Sequence, residues 1–452
     1  NIYHMKLVLP KEAKEIIKTL KSAGFEAYAV GGSVRDLLLG KASNNWDFTT
    51  NATPEEIIKL FPETFYDNKF GTVGIPVEID GIKEIYEITT FRTEQNYTDK
   101  RHPDIVRWGK SLKEDLERRD FTIGAIAFDG KKLFDPYSGE EDLKNKIIRA
   151  VRDPHERFAE DALRMMRAIR IATELGFVIE EKTFSAIARN AHQIDEISEE
   201  RVRDELIKIL KSKHPADGIL LLHNAKILAR ILPELETAYG VEQAKHHIYD
   251  VFKHSLEALR FCPSSDWLVR FAALIHDIGK PVVAKGAGEE RTFYNHEVVG
   301  ANMAKIIASR LHFSKFDREK LYTLARWHMF SADEVQTNAA IRRFIRRVGS
   351  EFLGDIFDVR IGDRLGSGCT KAESWRLKKY RARTINVQKH IPTPADLKID
   401  GHDVMRILNL NPGPKVGEVL KNLFERVMEG TLLNDREILL QEVEKESALL
   451  SC

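Results

Sequence analysis

Gly31-Gly32-Ser33-Val34-Arg35-Asp36, followed by Asn45-Trp46-Asp47, decides the reading of the fold, because it sets a glycine turn beside one end of a metal site. Backbone N–H groups approach a phosphate closely only where no side chain intervenes, and a helix beginning near Arg35 adds its positive end. Gly31 and Gly32 are therefore candidate phosphate-binding positions, and Arg35 a candidate phosphate clamp. A site that moves a phosphoryl group with two divalent ions needs carboxylates at alternate positions of one strand, so that both point the same way. Asp47 meets that requirement, whereas Asn45 offers an amide without the charge.

Further along, Ile85-Tyr86-Glu87-Ile88-Thr89-Thr90-Phe91-Arg92 alternates apolar and polar residues like a half-buried strand, which places Glu87 on a neighbouring strand as another carboxylate. Asp115-Leu116-Glu117-Arg118-Arg119-Asp120 supplies two arginines beside an aspartate, and Phe134-Asp135-Pro136-Tyr137-Ser138-Gly139 reads as a tight turn before a helix. Helical spacing over 11–22 precedes an alternating strand at 26–30, and mixed signals persist to about 149. From about 155 onward amphipathic helical patterns dominate. The expected architecture is an α+β head with a small mixed sheet, carried on a long all-helical remainder.

In Glu160-Asp161-Ala162-Leu163-Arg164-Met165-Met166-Arg167-Ala168-Ile169-Arg170 polar groups recur at three-residue spacing, which predicts one face of a single helix. A carboxylate accepts from an exocyclic amine while an arginine donates to ring nitrogens or carbonyls. Asp161 and Arg164 thus match the hydrogen-bonding edge of a base, although an exposed salt-bridged helix gives the same pattern.

These blocks resemble the nucleotidyltransferase head and neck of the bacterial class II tRNA CCA-adding enzymes and their poly(A) polymerase relatives. The resemblance implies that Asp47, Glu87 and the Asn45 position hold two Mg²⁺ ions. It further implies that Gly31, Gly32, Arg35, Arg119, Asp120, Asp161, Arg164, Arg167 and Arg170 bind and select the nucleotide, CTP or ATP. Ser198 to Leu206 resembles the neck helix that follows, a buttress for the selecting residues. The segment Thr93–Val106 has the family's loop length, which argues against addition of CC alone.

The chain departs from the family at Asn45, where an aspartate bridges both ions, so impaired transfer is expected. Asn45 marks an inactivating substitution introduced to trap a substrate, a paralogue that has lost polymerisation, or an ambiguity of the recorded residue. The first is preferred because every other head motif is intact. Gly124, where asparagine is usual, is a smaller departure.

His254, His276-Asp277, His296, His328 and Asp363 form a second constellation in helical sequence, centred on Ala273-Leu274-Ile275-His276-Asp277-Ile278-Gly279-Lys280. Imidazole and carboxylate together suit a transition metal or magnesium. The pattern resembles the HD phosphohydrolase superfamily, whose ligands match His254, His276, Asp277 and Asp363; His296 and His328 match positions for a second ion or the phosphate. His246 and His247 receive no role. The expected division is a head at 1–149, a nucleotide-selecting neck at 150–240, an HD-type body at 241–370 and a basic tail at 371–452 for tRNA.

With 452 residues, 43% hydrophobic and 31% charged, the chain is long enough for several cores. A net charge of +1 does not exclude an RNA partner, since affinity depends on where the cations lie. Arg342, Arg343, Arg346 and Arg347 form one cluster; Arg376, Lys378, Lys379, Arg381 and Arg383, interleaved with Trp375 and Tyr380, form another. A Pro-Gly turn before Lys415 offers further N–H donors to RNA phosphate. Cys262, Cys369 and Cys452 give neither an even disulfide framework nor metal spacing, so a reducing, cytoplasmic setting is expected. No apolar run approaches the ~20 residues that span a bilayer, so no membrane partner is expected. Asn1-Ile2-Tyr3-His4 precede Met5, which is read as the natural start.

The expected function is addition of CCA, or part of it, to tRNA 3′ ends from CTP and ATP without a nucleic-acid template, with HD phosphohydrolase activity as an accessory. Poly(A) polymerase is the nearest rival. A phosphohydrolase that uses a dead head to dock tRNA, and a non-catalytic tRNA-binding factor, are the others; oligomeric state is left open.

Overall fold

The structure, a computed structural model, describes residues 7–43, 45–67, 71–79, 81–95, 105–109, 111–243, 248–333, 335–389 and 393–450. The chain packs into two compact units, Asn1–Glu236 and Thr237–Cys452.

In the first unit, helix α1 (Lys11–Ser22) buries Ala13, Ile16, Ile17 and Leu20, one stripe at helical spacing. Strand β1 (Ala27–Val30) leads through Gly31 into helix α2 (Gly32–Leu38), which starts one turn before the expected Arg35. The strands that follow are β2 (Asp47–Thr50), β3 (Phe65–Asp67), β4 (Thr72–Ile79) and β5 (Ile82–Thr90). Two more, β6 (Arg92–Gln95) and β7 (Ile105–Trp108), pair as a separate antiparallel ribbon, so the ends of the predicted 93–106 loop are strands. Its tip, 96–104, lies outside the described residues. Helix α3 (Leu112–Glu117) and strands β8 (Ala127–Phe128) and β9 (Leu133–Phe134) follow.

Seven of these strands form one mixed sheet in the order β3-β4-β5-β2-β1-β8-β9. Antiparallel pairs dominate, but β2 and β5 run parallel, in a register that sets Asp47 opposite Glu87. Buried Val30, Phe91, Leu112, Leu116, Ala125, Ala127 and Val151 form a core beneath that part of the sheet.

One strand departs from the all-helical expectation for the neck: β11 (Val178–Ile179), which pairs in parallel with β10 (Ile147–Ile148) at the end of the head. The predicted continuous helix through Glu160–Arg170 is also corrected. Helix α4 (Pro154–Glu160) ends before Asp161, and α5 (Leu163–Leu175) begins two residues later. The Asp161 carboxylate accepts the Leu163 N–H at 3.1 Å, a local bond that competes with helix continuation. Helix α6 (Glu199–Lys211) packs against α5 through buried Val202, Leu206 and Ile209.

The second unit is built on α7 (Val251–Phe261), α8 (Trp267–Ile275), α9 (His296–Arg310), α10 (Lys315–Trp327), α11 (Asn338–Val348), α12 (Leu353–Gly366) and α13 (Trp375–Gln388). Close approach of α12 to α7 needs glycine: a Cβ on Gly362 would lie 2.5 Å from the Ala258 carbonyl oxygen, and one on Gly366 2.6 Å from the Ala258 nitrogen. Helices α14 (Gly401–Leu408), α15 (Pro414–Glu429) and α16 (Arg436–Leu450) share a core of Val404, Val416, Leu423, Leu439 and Val443. Tyr380, interleaved with the basic cluster in sequence, is buried against Phe330, Phe344 and Phe357, while Trp375 stays exposed beneath Arg376 and Lys379.

Candidate active site and candidate metal centre

Gly31 has φ +78, a conformation side chains avoid, and a Cβ there would sit 3.2 Å from Arg119 Nη1 and 3.3 Å from Asp47 Oδ2. The turn therefore requires glycine and brings the start of α2 against the carboxylate of β2. Trp46, buried and donating to the Ser43 carbonyl at 3.0 Å, anchors the approach to β2. Asn45 is exposed and lies before the strand proper.

Burial pushes the Asp47 carboxyl up to about 6; Arg119 opposes the rise and Glu87 adds to it. Two carboxylates side by side with one raised are suited to a cation. Arg119 is held by Asp115 at 3.3 Å, and Arg118 by the same carboxylate at 2.7 Å. Asp115 is fully buried, yet those two guanidinium groups outweigh burial and keep it below the usual range.

A cleft of about 970 Å³ collects Gly31, Gly32, Arg35, Asp47, Glu87, Arg119, Asp120, Asp161, Arg164, Arg167 and Arg170. Every predicted head and neck site residue except Asn45 lines it. Arg35 pairs with Asp36 at 2.9 Å. Asp120 accepts from Arg164 at 2.8 Å and from Arg167, and these charges overcome burial to hold its carboxyl at about 2. Arg164 also pairs with Glu160, and Arg170 with Glu205 at 2.6 Å. Asp161 accepts from Arg201 at 2.8 Å. Arg201, Glu205 and Lys208 of α6 line the same cleft and were missed as site residues by the sequence reading. Their signal was the i, i+4 spacing of Arg201 and Glu205 on one helix face.

In the second unit, His254, His276 and Asp363 present ligand atoms within 4.8 Å of one another, as do His276, Asp277 and His328. The Nδ1 atoms of His276, His296 and His328 each lie 2.8 Å from a main-chain carbonyl, of Ala273, Phe293 and Ala325 respectively. A proton on Nδ1 leaves each Nε2 lone pair facing the cluster, the arrangement a metal-ligating histidine needs. His296 Nε2 reaches Asp277 Oδ1 at 3.2 Å. Burial disfavours a charged His276, but Asp277 and Asp363 outweigh it and raise it to about 10. A divalent cation would displace that proton. Asp277, His296, His328 and Asp363 line a cavity of about 730 Å³ that also includes Lys280, Arg291, Arg360 and Arg364, cations to which the sequence alone assigned no role. His246 and His247 lie outside the described residues.

Residues 27–149 match the poly A polymerase head domain and 176–239 the family described as a "probable RNA and SrmB-binding site of polymerase A". Residues 225–345 match the HD domain, and 335–443 the tRNA nucleotidyltransferase domain 2. Head and second unit together define a polymerising nucleotidyltransferase joined to an HD domain. A CCA-adding enzyme of Ligilactobacillus salivarius is 34% identical over 439 residues, 96% of each chain. The chain belongs to the CCA-adding enzyme family and is a nucleotidyltransferase. The crystal structure of the Bacillus stearothermophilus CCA-adding enzyme in complex with CTP is 28% identical, covers 98% of both chains and superposes with a TM-score of 0.70. The Thermotoga maritima CCA-adding enzyme complexed with tRNA shares the fold at 21% identity, with a TM-score of 0.59 over 98% of this chain and 97% of that one. Among the described residues no helix is long and apolar enough to cross a membrane.

Proposed function

We propose that this chain adds C, C and A, or part of that series, to the 3′ end of tRNA, taking CTP and ATP and using no nucleic-acid template. The observation that carries the reading is the parallel register of Asp47 with Glu87, facing the Gly31 turn in a cleft that also holds Asp161 and Arg164. The start of α2, with Arg35 and Arg119, holds the triphosphate. Asp161 accepts from N4 of cytosine or N6 of adenine, and Arg164 donates to the neighbouring ring acceptors. Arg167 and Arg170 hold phosphate or primer. The tRNA 3′ hydroxyl attacks the α-phosphorus; the new O–P bond forms as the bond to pyrophosphate breaks, and the hydroxyl proton leaves to solvent. Asp47 and Glu87, with the Asn45 position just before the strand, would hold Mg²⁺, which would supply charge neutralisation at that phosphorus.

The four parts are assigned as head 1–149, neck 150–240, HD body 241–370 and tail 371–452. The exposed cations of α11 and α13 serve the tRNA backbone. A cytoplasmic site of action fits the free thiols of Cys262 and Cys369. Family membership favours this reading over poly(A) polymerase.

Asn45 lowers activity in this reading, since an amide brings no charge to the ion pair. Asn45→Asp is expected to raise CTP and ATP incorporation into tRNA lacking its 3′ end by at least tenfold with Mg²⁺. Equal incorporation by both forms would remove Asn45 from the metal site.

A second activity rests on the histidines whose Nδ1 atoms are fixed by main-chain carbonyls. With a transition metal or Mg²⁺ bound, the second unit hydrolyses a phosphoester such as a 2′,3′-cyclic phosphate.

A further inference from the structure

We propose that Tyr294 is a base-stacking platform of the second unit, whose cavity thereby takes a nucleoside phosphoester, with Arg291 and Arg364 receiving the phosphate. The proposal rests on the reading of the histidine cluster as a phosphohydrolase site and names the substrate class of that site. Tyr294 lines the cavity beside the cluster, yet it is 77% exposed, and among the described residues its ring meets no other ring and no cation. Its neighbour Phe293 differs, with the Lys280 ammonium 5.6 Å from the ring centre. Met329, on the same lining, is 59% exposed. Tyr294 stands two residues before His296, and Met329 directly follows His328. The main chain at both points is tied to the cluster, since the Phe293 and Ala325 carbonyls hold the two Nδ1 atoms at 2.8 Å. A short hairpin brings Arg291 to the same place: Lys285 and Thr292 exchange main-chain bonds at 3.1 and 2.9 Å, across a turn where Gly286 has φ +76.

The charges of the lining fall into two kinds. Lys280 meets Asp277 at 2.5 Å and Arg360 meets Asp363 at 2.8 Å, so two cations are neutralised by carboxylates of the cluster. Glu297, the remaining carboxylate of the lining, pairs with Arg326 at 3.5 Å. Arg291 and Arg364 bond main-chain carbonyls instead: Arg291 those of Glu242 at 3.2 Å and Gly286 at 3.4 Å, and Arg364 that of Lys371 at 3.0 Å. Among the described residues neither has a carboxylate partner, so each keeps its charge for an incoming anion. A ligand that satisfies the whole lining carries an anion for these arginines and a flat apolar group for Tyr294 and Met329. A nucleoside phosphate joins the two through one ribose, whereas a simple phosphoester meets the cations alone. Stacking tolerates any base, because every base has a π-face.

The test compares cytidine 2′,3′-cyclic phosphate with methyl ribofuranoside 2′,3′-cyclic phosphate, which keeps the ribose and the phosphate but lacks the base. Both hydrolyse alike: the water oxygen bonds phosphorus, one ribose oxygen leaves it and takes a proton of that water, and the other proton stays on the phosphate. The full chain, reconstituted with metal, is read as the ratio of kcat/KM for the two esters. Tyr294→Ser is expected to lower that ratio about tenfold, the loss of one stacked base, and Tyr294→Phe to keep it within about twofold of the parent, because the ring face remains. A short RNA ending in the same cyclic phosphate, set against the same methyl riboside ester, separates the sources of the nucleoside. A Tyr294 dependence confined to the RNA assigns the base to an RNA terminus, and one shared with the mononucleotide assigns it to either source. Binding gives a second readout without turnover or added metal. Tyr294→Trp puts an indole on the platform, whose emission cytidine 2′,3′-cyclic phosphate is expected to quench beyond any quenching of the parent, and the methyl riboside ester is expected to leave unquenched. Unchanged ratios in Tyr294→Ser for mononucleotide and RNA, in a chain that hydrolyses them, would overturn the platform and leave the phosphohydrolase reading standing. Absence of hydrolysis in the parent would overturn that reading, and quenching then decides the platform alone: its presence upholds Tyr294 as a nucleotide-binding residue, and its absence overturns the proposal as well.

Discussion

Asp120 links the head to the helix that follows, since a single carboxylate accepts from Arg164 and Arg167 together. Its carboxyl is held at about 2 in the folded chain because Arg167 and Arg164 outweigh the cost of burial. In the unfolded chain it titrates near ~3.9, so the folded state gains stability from its ionisation, in full above ~3.9 and progressively lost as the pH falls through about 2. Asp120→Asn is expected to cost about 2 kcal/mol at pH 7 from this source, with the gap to the parent shrinking between pH 4 and pH 2. Urea midpoints of both proteins across that range check it, and a gap independent of pH would separate the stability effect from the ion pairs. The residues of this network were legible as residue types: acidic and basic groups at helical spacing announced a polar face. Their pairing was not, because the partner of Asp161 comes from a segment forty positions later and sequence spacing carries no such contact.

At the scale of elements, the period-2 alternation around Glu87 identified a strand, and the structure adds the parallel register with β2 that no local pattern encodes. The helix break at Asp161 was hidden for a different reason. Ala162, Leu163 and the residues after them are good helix formers, so propensity runs straight through a junction that one side-chain bond to Leu163 N–H decides. Glycine in α12 shows how an element places a side chain of the histidine cluster. Gly362 and Gly366 flank Asp363 and let α12 approach α7, where His254 Nε2 lies 3.4 Å from Asp363 Oδ1. Gly366→Ala would drive a Cβ against the main chain of α7, and is expected to cost roughly 1 to 3 kcal/mol and to weaken metal binding by the second unit. Gly354→Ala, in the same helix, meets nothing within 4 Å and is expected to be neutral or slightly stabilising. Thermal unfolding and metal titration of the two variants compare them directly; equal metal affinity in Gly366→Ala would dissociate the helix approach from the ligand set.

Across the whole molecule, the chain divides into one unit that carries the arginine-lined cleft and another that carries the histidine cluster. The separation of the two clusters was legible because each constellation occupies its own stretch of sequence. Aromatic burial was not: Tyr380 sits among arginines and lysines in sequence yet packs with Phe330, Phe344 and Phe357. Only the opposite face of α13 leaves cations to solvent, and a charge run does not say which face is turned inward. Since all ligands of the cluster come from residues 254–363, metal binding there should be independent of the head. His276→Ala combined with Asp277→Ala is expected to abolish metal retained after reconstitution with Ni²⁺, Mn²⁺ or Mg²⁺, and with it hydrolysis of a 2′,3′-cyclic phosphate. In the Asn45→Asp background the same double change should leave CTP and ATP incorporation within about twofold of its starting value, because no residue of the nucleotide cleft is touched. Elemental analysis reads the first outcome and incorporation into tRNA the second. Loss of incorporation in a folded double variant would mean that the two sites work as one; retained metal would move the binding site away from His276 and Asp277.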